Sequence, residues 1–195
     1  DAASGSTFYG NSGSRYVFPP NAFVAPDGSF VNGAVKVSVL EVLGRAEMIF
    51  SGVLPISNGE PLISGGECYV MATQNGVNLK IAPNKQYRVI LPVKYDTVEP
   101  AMKLFFGTDN AGKVNWEQAD DSEGRVTAHA LERYDSVVGG LTLNVYYDSL
   151  SMFISKIGWA NADRFMNNPN YQSYTVLLKS DSITDFSGIH FYTIY

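Results

Sequence analysis

The segment Gly158–Phe165 holds the side chains best suited to contact a ligand. It reads Gly-Trp-Ala-Asn-Ala-Asp-Arg-Phe, so a large aromatic ring is followed closely by an amide, a carboxylate and a guanidinium group. A tryptophan face stacks on ligands, and the three polar groups supply hydrogen-bond donors and acceptors. On this interpretation the ligand-binding residues are Trp159, Asn161, Asp163 and Arg164.

The same segment also fits a purely structural role, and the sequence favours that alternative. Small and polar residues alternate between two large aromatic residues, Trp159 and Phe165, as is typical of a packed corner between two cores. Asp163 and Arg164 would then satisfy local backbone groups or pair internally. Both interpretations stay open at this point.

Other acidic residues give no catalytic or metal centre. A glycosidase uses two carboxylates roughly 5–10 Å apart, and Asp120, Asp121 and Glu123 do lie together, but in a polar turn sequence. A calcium loop needs carboxylates at alternating positions, which Asp109–Lys113 lacks, and its lysine opposes a cation.

The single cysteine and the two histidines lie far apart in sequence. Cys68 stands in Glu67–Ala72, which reads as a buried strand, so a core role is favoured over catalysis. His129 and His190 are too distant in sequence to indicate a zinc site or a thiol–imidazole pair. Neither a nucleophile elbow nor a phosphate loop is present. We therefore expect no enzymatic activity, no catalytic residue, no bound metal and no cofactor.

Period-two alternation and β-branched residues dominate the chain, so the predicted fold class is all-β. Single strands are predicted at Gly33–Val42, Tyr87–Val93, Tyr174–Lys179 and Ile189–Tyr195, and hairpins at Lys103–Gly107 with Val114–Glu117 and at Leu141–Tyr147 with Ser151–Ser155. In the first of these strands Val35, Val37 and Val39 should face the core.

Helical signals are limited to single turns at Val42–Ile49 and Asn161–Met166, which excludes a doubly wound α/β fold. The chain has 195 residues, of which 45% are hydrophobic and 17% charged, a globular composition. Its net charge of -5 argues against nucleic acid as a partner, and no apolar run approaches the ~20 residues of a membrane helix.

The stretch Val17–Val24, which contains two adjacent prolines, is followed by the alternating strand Gly33–Val39. This order resembles the opening of ZU5-like β-sandwich domains. Prolines fix an extended entry and cannot donate to a central ladder, so the strand begins after them.

A wider resemblance covers about half of the chain. Its pieces are Phe18–Val42, Ser64–Gly76, Leu79–Asn84, Met102–Gly107 with Val114–Trp116, and Gly158–Phe165. In this order they are similar to a group of exported or lipid-anchored proteins from Bacteroidetes-type bacteria. That group usually has a larger apolar residue at position 160 and often cysteine at 162, where this chain has alanine. The resemblance implies export to the periplasm or cell surface, with a lipid anchor on the precursor left open, and implies no reaction.

These observations predict four parts of the chain. Residues 1–13 form a flexible lead, 14–92 a ZU5-like β-sandwich, 93–169 a second small β unit that ends in the Gly158–Phe165 segment, and 170–195 trailing strands that could begin a further domain.

The predicted function is that of a non-enzymatic, exported structural or protein-interaction module of the bacterial cell envelope, outside the cytoplasm. The first alternative is a carbohydrate-binding module of a surface glycan system. The second is an accessory domain of a secreted enzyme. The expected partners are accordingly an envelope protein or a glycan.

Overall fold

The computed structural model describes residues 1–93, 101–110, 112–138 and 141–166. The part described is built almost entirely from antiparallel strands, with one short helix, so the all-β prediction is confirmed. The strands are β1 Ser6–Tyr9, β2 Arg15–Phe18, β3 Phe23–Val24, β4 Lys36–Val42, β5 Ile56–Ser57, β6 Glu60–Gln74, β7 Val77–Asn78, β8 Lys80–Ile81, β9 Tyr87–Val93, β10 Lys103–Asn110, β11 Lys113–Gln118, β12 Gly124–Val138, β13 Leu141–Ile154 and β14 Gly158–Phe165. The helix α1 spans Arg45–Ser51.

Two large antiparallel sheets share one core. The five-stranded sheet has the order β1-β2-β9-β13-β12. The seven-stranded sheet has the order β11-β10-β14-β6-β4, with the short strands β5 and β7 also paired to β6. A small separate ladder joins β3 to β8.

Alternate residues of the strands meet in a main hydrophobic core between the two large sheets. The five-stranded sheet contributes Tyr16, Phe18, Tyr87, Val89, Leu91, Leu150, Met152 and Ile154; the seven-stranded sheet contributes Cys68, Val70, Ala72, Leu104, Ala160 and Ala162. We call the side of the seven-stranded sheet that bears these residues its inner face. Cys68 is fully buried, as predicted, and Val35, Val37 and Val39 pack against this core, as predicted.

The opposite side of the seven-stranded sheet, its outer face, carries a second hydrophobic cluster. Its members are Val53, Leu62, Phe105 and Trp116, with Val114, Trp159 and Phe165 packed against them. Residues 43–59, which we call the cover segment, contain α1 and β5 and contribute Val53 to this cluster. The indole Nε1–H of Trp116 donates to the carbonyl of Leu54 at 2.9 Å, which ties the cover segment to the sheet.

The helix of the cover segment is capped by its own side chain. The Glu47 carboxylate accepts hydrogen bonds from the backbone N–H groups of Leu43 and Gly44, at 3.0 and 2.9 Å. An acidic residue in the first turn also suits the positive end of the helix dipole. Only Met48 of the helix is buried, so α1 presents one narrow side to the protein.

The predicted strands Gly33–Val42 and Tyr87–Val93 are confirmed, the first with a later start, and so is the hairpin of β10 and β11. The helical turn predicted at Val42–Ile49 forms slightly later, as α1. The strands predicted at 174–179 and 189–195 lie outside the described residues.

Two predictions of local structure are wrong. The second hairpin does not form, because Leu141–Ile154 is one continuous strand with β12 paired along most of its length. The helical turn at Asn161–Met166 is instead part of β14, which lies between β10 and β6. In both places hydrogen bonds from neighbouring strands outweigh the local preference for a turn.

Both large sheets contain strands from both sides of the boundary expected at residue 93. In the five-stranded sheet β9 pairs with β13, and in the seven-stranded sheet β6 pairs with β14. The ranges 14–92 and 93–169 are therefore joined by backbone hydrogen bonds within common sheets.

A valine in place of Gly107 should lower the free energy of unfolding by about 1–3 kcal/mol, because the outer face has no space for a side chain there. A Cβ at this position would lie 2.6 Å from Cγ1 of Val114 and 2.7 Å from Cβ of Trp159. Urea unfolding followed by circular dichroism measures the change. Thr108→Val, at the exposed next position of the same strand, is the control and should change stability by no more than about 0.5 kcal/mol. Equal stability of Gly107→Val and the wild type would contradict the packing described.

Candidate functional site

The segment singled out from the sequence is a central strand of the seven-stranded sheet. β14 alternates strictly: Ala160 and Ala162 enter the main core, while Trp159 and Phe165 pack on the outer face. Because alanine side chains are small, Ala160 and Ala162 project only a short distance from the inner face into the core. The polar residues Asn161 and Asp163 share the outer face with the aromatic pair.

Trp159 belongs to a row of residues that crosses the outer face. Strand register places Leu40 opposite Tyr69, Tyr69 opposite Trp159, and Gly107 between Trp159 and Trp116. The Trp159 ring centre lies 5.2 Å from that of Tyr69 and 6.1 Å from that of Trp116, the latter edge-to-face. Trp116 is fully buried and Trp159 half-buried, so this row leads from the covered cluster to the surface.

Asn161 lies in the next row, where its amide joins two carboxyl groups. Its Nδ2 donates to Oδ2 of Asp163 at 2.5 Å and to Oε1 of Glu67 at 3.4 Å. All three residues are 0% exposed, so no solvent reaches them. A surface ligand can touch Trp159 in this conformation but cannot reach Asn161 or Asp163.

A serine on the neighbouring strand orients the amide. The hydroxyl of Ser64 donates to Oδ1 of Asn161 at 3.0 Å and accepts the backbone N–H of Gly66 at 3.1 Å. The ladder between β6 and β14 is irregular here, since Asn161 pairs with Glu67 but Asp163 pairs with Ser64. The extra residue on β6 is accommodated by Gly66, whose φ of 128° suits glycine.

We call Glu67, Asp163, Asn161 and Ser64 the carboxyl cluster. Burial is the main influence on the pKa values of its two carboxyl groups. Loss of solvation, reinforced by the nearby Asp163 charge, raises the pKa of Glu67 to about 9. Loss of solvation also raises the pKa of Asp163 well above its usual value, against smaller opposing effects of Ser64, Asn161 and the Gly65 amide.

Arg164 does not join this cluster. It pairs with Ile63, a residue that packs against the main core, so the alternation of β14 turns Arg164 away from Asn161 and Asp163. The structure thus brings together two of the four predicted ligand-binding residues, places Trp159 one row away, and directs Arg164 to the other face.

The sequence prediction missed Glu67 and Ser64. Alternation around Cys68 does place Glu67 on the opposite face, because neighbouring residues of a strand point to opposite sides. The pairing of β6 with β14 is nevertheless a contact across some ninety positions of the chain, and no local pattern specifies it.

The other acidic groups are surface features. Glu123 forms an ion pair with Lys156, and the Asp109 carboxylate accepts the backbone N–H of Gly112 in the β10–β11 turn. Asp120 and Asp121 are exposed. Over the ranges with described side chains, no three His, Cys, Asp or Glu residues come together as a metal site.

Comparisons with protein-family models, with curated proteins and with solved structures returned no match to this chain.

The buried carboxyl groups predict a stability that falls as pH rises. The unfolded chain ionises Glu67 above a pKa near 4.5, whereas the folded chain keeps this proton up to about pH 9. Between these values the folded state binds more protons, so the free energy of unfolding decreases, by up to about 1.4 kcal/mol per pH unit for one group. Urea unfolding at pH 5, 7 and 9, in buffer with a chelator, measures this slope.

Glu67→Gln removes the proton-binding group and should make the slope shallower, with a gain in stability at pH 9. Glu60→Gln, an exposed residue of the same strand, should keep the wild-type slope. If the Glu67 variant and the wild type lose stability equally between pH 5 and 9, the carboxyl group of Glu67 is not protonated in the folded protein.

Proposed function

We propose that the chain is a non-enzymatic structural or protein-interaction module of the bacterial cell envelope. The observation that carries this proposal is an apolar strip on the outer face of the seven-stranded sheet, beside the cover segment. The strip consists of Leu40, Tyr69, Met71 and Trp159. Leu40 is 51% exposed and Met71 36% exposed, although both are large apolar side chains in regular strands.

Such a strip supports a role in binding another protein. Contiguous apolar surface is uncommon on monomeric proteins, and where it occurs it often marks an interaction site. The strip adjoins β4, which in the described part of the chain pairs only with β6 and so has one free edge. A free edge offers backbone donors and acceptors to a partner strand.

The exported location rests on the resemblance to ZU5-like domains and to exported or lipid-anchored proteins of Bacteroidetes-type bacteria. The antiparallel all-β architecture is of the kind that this resemblance requires. No helix in the described ranges is long and apolar enough to cross a membrane.

A photo-crosslinking amino acid at position 40 or 71 should capture a protein partner in the envelope of the source cells. The expected result is one discrete adduct, identified by mass spectrometry, from both positions. Phe30, 71% exposed but outside the strip, is the matched control position. Adducts that appear equally from position 30, or none at all from positions 40 and 71, would contradict the proposal.

Carbohydrate binding is a second candidate, favoured by the Tyr69–Trp159 pair. Both rings are half-buried on the same row, with 57° between their planes. Aromatic rings present apolar faces on which a sugar ring can stack, and two neighbouring rings enlarge that surface.

If a glycan binds this pair, Tyr69→Ala should weaken binding about tenfold, because it removes one of the two rings. A thermal-shift titration with soluble glycans measures this, since ligands of the folded state raise the melting temperature. Tyr9→Ala, at an exposed tyrosine of β1, should leave the titration unchanged. A titration unaffected by Tyr69→Ala would remove this candidate site.

A further inference from the structure

The carboxyl cluster contains two oxygen atoms that its own hydrogen bonds do not satisfy. Oε2 of Glu67 and Oδ1 of Asp163 are buried and accept no hydrogen bond. The amide of Asn161 donates its hydrogen bonds to the other oxygen of each carboxyl group, Oε1 of Glu67 and Oδ2 of Asp163. Buried polar atoms are nearly always paired, so two orphan oxygens in one cluster point to a bound partner.

We propose that Glu67, Asp163 and Asn161 bind a hard divalent cation of the calcium class, held between β6 and β14. The donor set consists of two carboxyl groups and one amide, which are the oxygen ligands that Ca²⁺ prefers. The proposal concerns the stability of the fold and does not depend on the proposed function.

The charge balance supports a divalent ion. Each carboxyl group, neutral in the fold without a cation, gives up its proton when it becomes a ligand, and two buried carboxylates left unpaired would cost several kcal/mol each. One doubly charged cation that displaces both protons leaves the cluster without net charge.

The position of Asn161 also fits a metal ligand. A half-turn of its amide about the terminal side-chain bond exchanges oxygen and nitrogen. The amide oxygen would then lie about where Nδ2 is now, 2.5 Å from Oδ2 of Asp163 and 3.4 Å from Oε1 of Glu67. Oxygen ligands of one Ca²⁺ lie roughly 3 Å from one another when Ca–O distances are about 2.4 Å, so the separation from Asp163 has to widen by about half an ångström on binding.

Ser64 acts as a positioning residue in either orientation of the amide. Its hydroxyl lies 3.0 Å from the present Oδ1 of Asn161 and can accept the amide nitrogen after the half-turn. It continues to accept the backbone N–H of Gly66. Three side chains supply fewer than the six to eight oxygens that Ca²⁺ takes, and backbone carbonyl oxygens, or water molecules enclosed together with the ion, complete the shell.

The test uses the full chain stripped with a chelator and titrated with Ca²⁺ and, separately, with Tb³⁺. Trp159 is two residues from Asn161 on the same face, about 7 Å along the strand, and can sensitise terbium luminescence. We expect a saturable luminescence signal at one ion per chain. Ca²⁺ at a hundredfold excess over Kd should raise the melting temperature by about 5–10 °C.

Glu67→Gln and Asp163→Asn should each abolish both responses. Both variants exchange a carboxyl group for an amide of nearly the same shape, so they are expected to fold without the cation, which circular dichroism checks. Glu60→Gln is the matched control and should respond like the wild type. The absence of a saturable terbium signal, or a signal and melting shift that persist in both cluster variants, would overturn the proposal.

Discussion

Two carboxyl groups that water cannot reach determine how the outer face of the seven-stranded sheet can close. Glu67 and Asp163 approach each other from neighbouring strands, and an ionised carboxylate loses several kcal/mol of solvation when it is buried. Glu67 and Asp163 can therefore be buried in the outer face only when both carboxyl groups are neutralised. The amide of Asn161 and the hydroxyl of Ser64 hold them in place. The bulge at Gly66 supplies the change of register that places these side chains together.

The aromatic row beside the cluster complements this polar arrangement. Because Gly107 has no side chain, Trp116 and Trp159 meet edge-to-face across β10. The indole of Trp116 then holds the cover segment through the carbonyl of Leu54. One end of the row is thus enclosed, while the other end, at Leu40, faces solvent. A stable scaffold and an accessible apolar surface are built from one line of residues.

The sequence was sufficient where structure depends on local pattern. Alternation identified the strand that contains Val37 and Val39, and the turn residues between Gly107 and Val114 identified the β10–β11 hairpin. The sequence was insufficient for predicting local structure where pairing with a distant strand determines the conformation. Asn161 has the local character of a helix cap, yet its neighbours β6 and β10 hold it extended. Asp163 could be recognised as chemically notable, but its partner Glu67 depends on a register between strands that no single-sequence pattern encodes.

The central position of β14 also affects how the protein is made. Strands β4 and β6 are synthesised long before β14, which must lie between β6 and the β10–β11 hairpin to complete the seven-stranded sheet. Until then one edge of β6 has no lasting partner, and such an edge is prone to wrong pairing with other chains. Contacts over so long a loop also form slowly. The nascent chain therefore passes through a vulnerable interval, in which a chaperone that shields β-edges would raise the yield of folded protein.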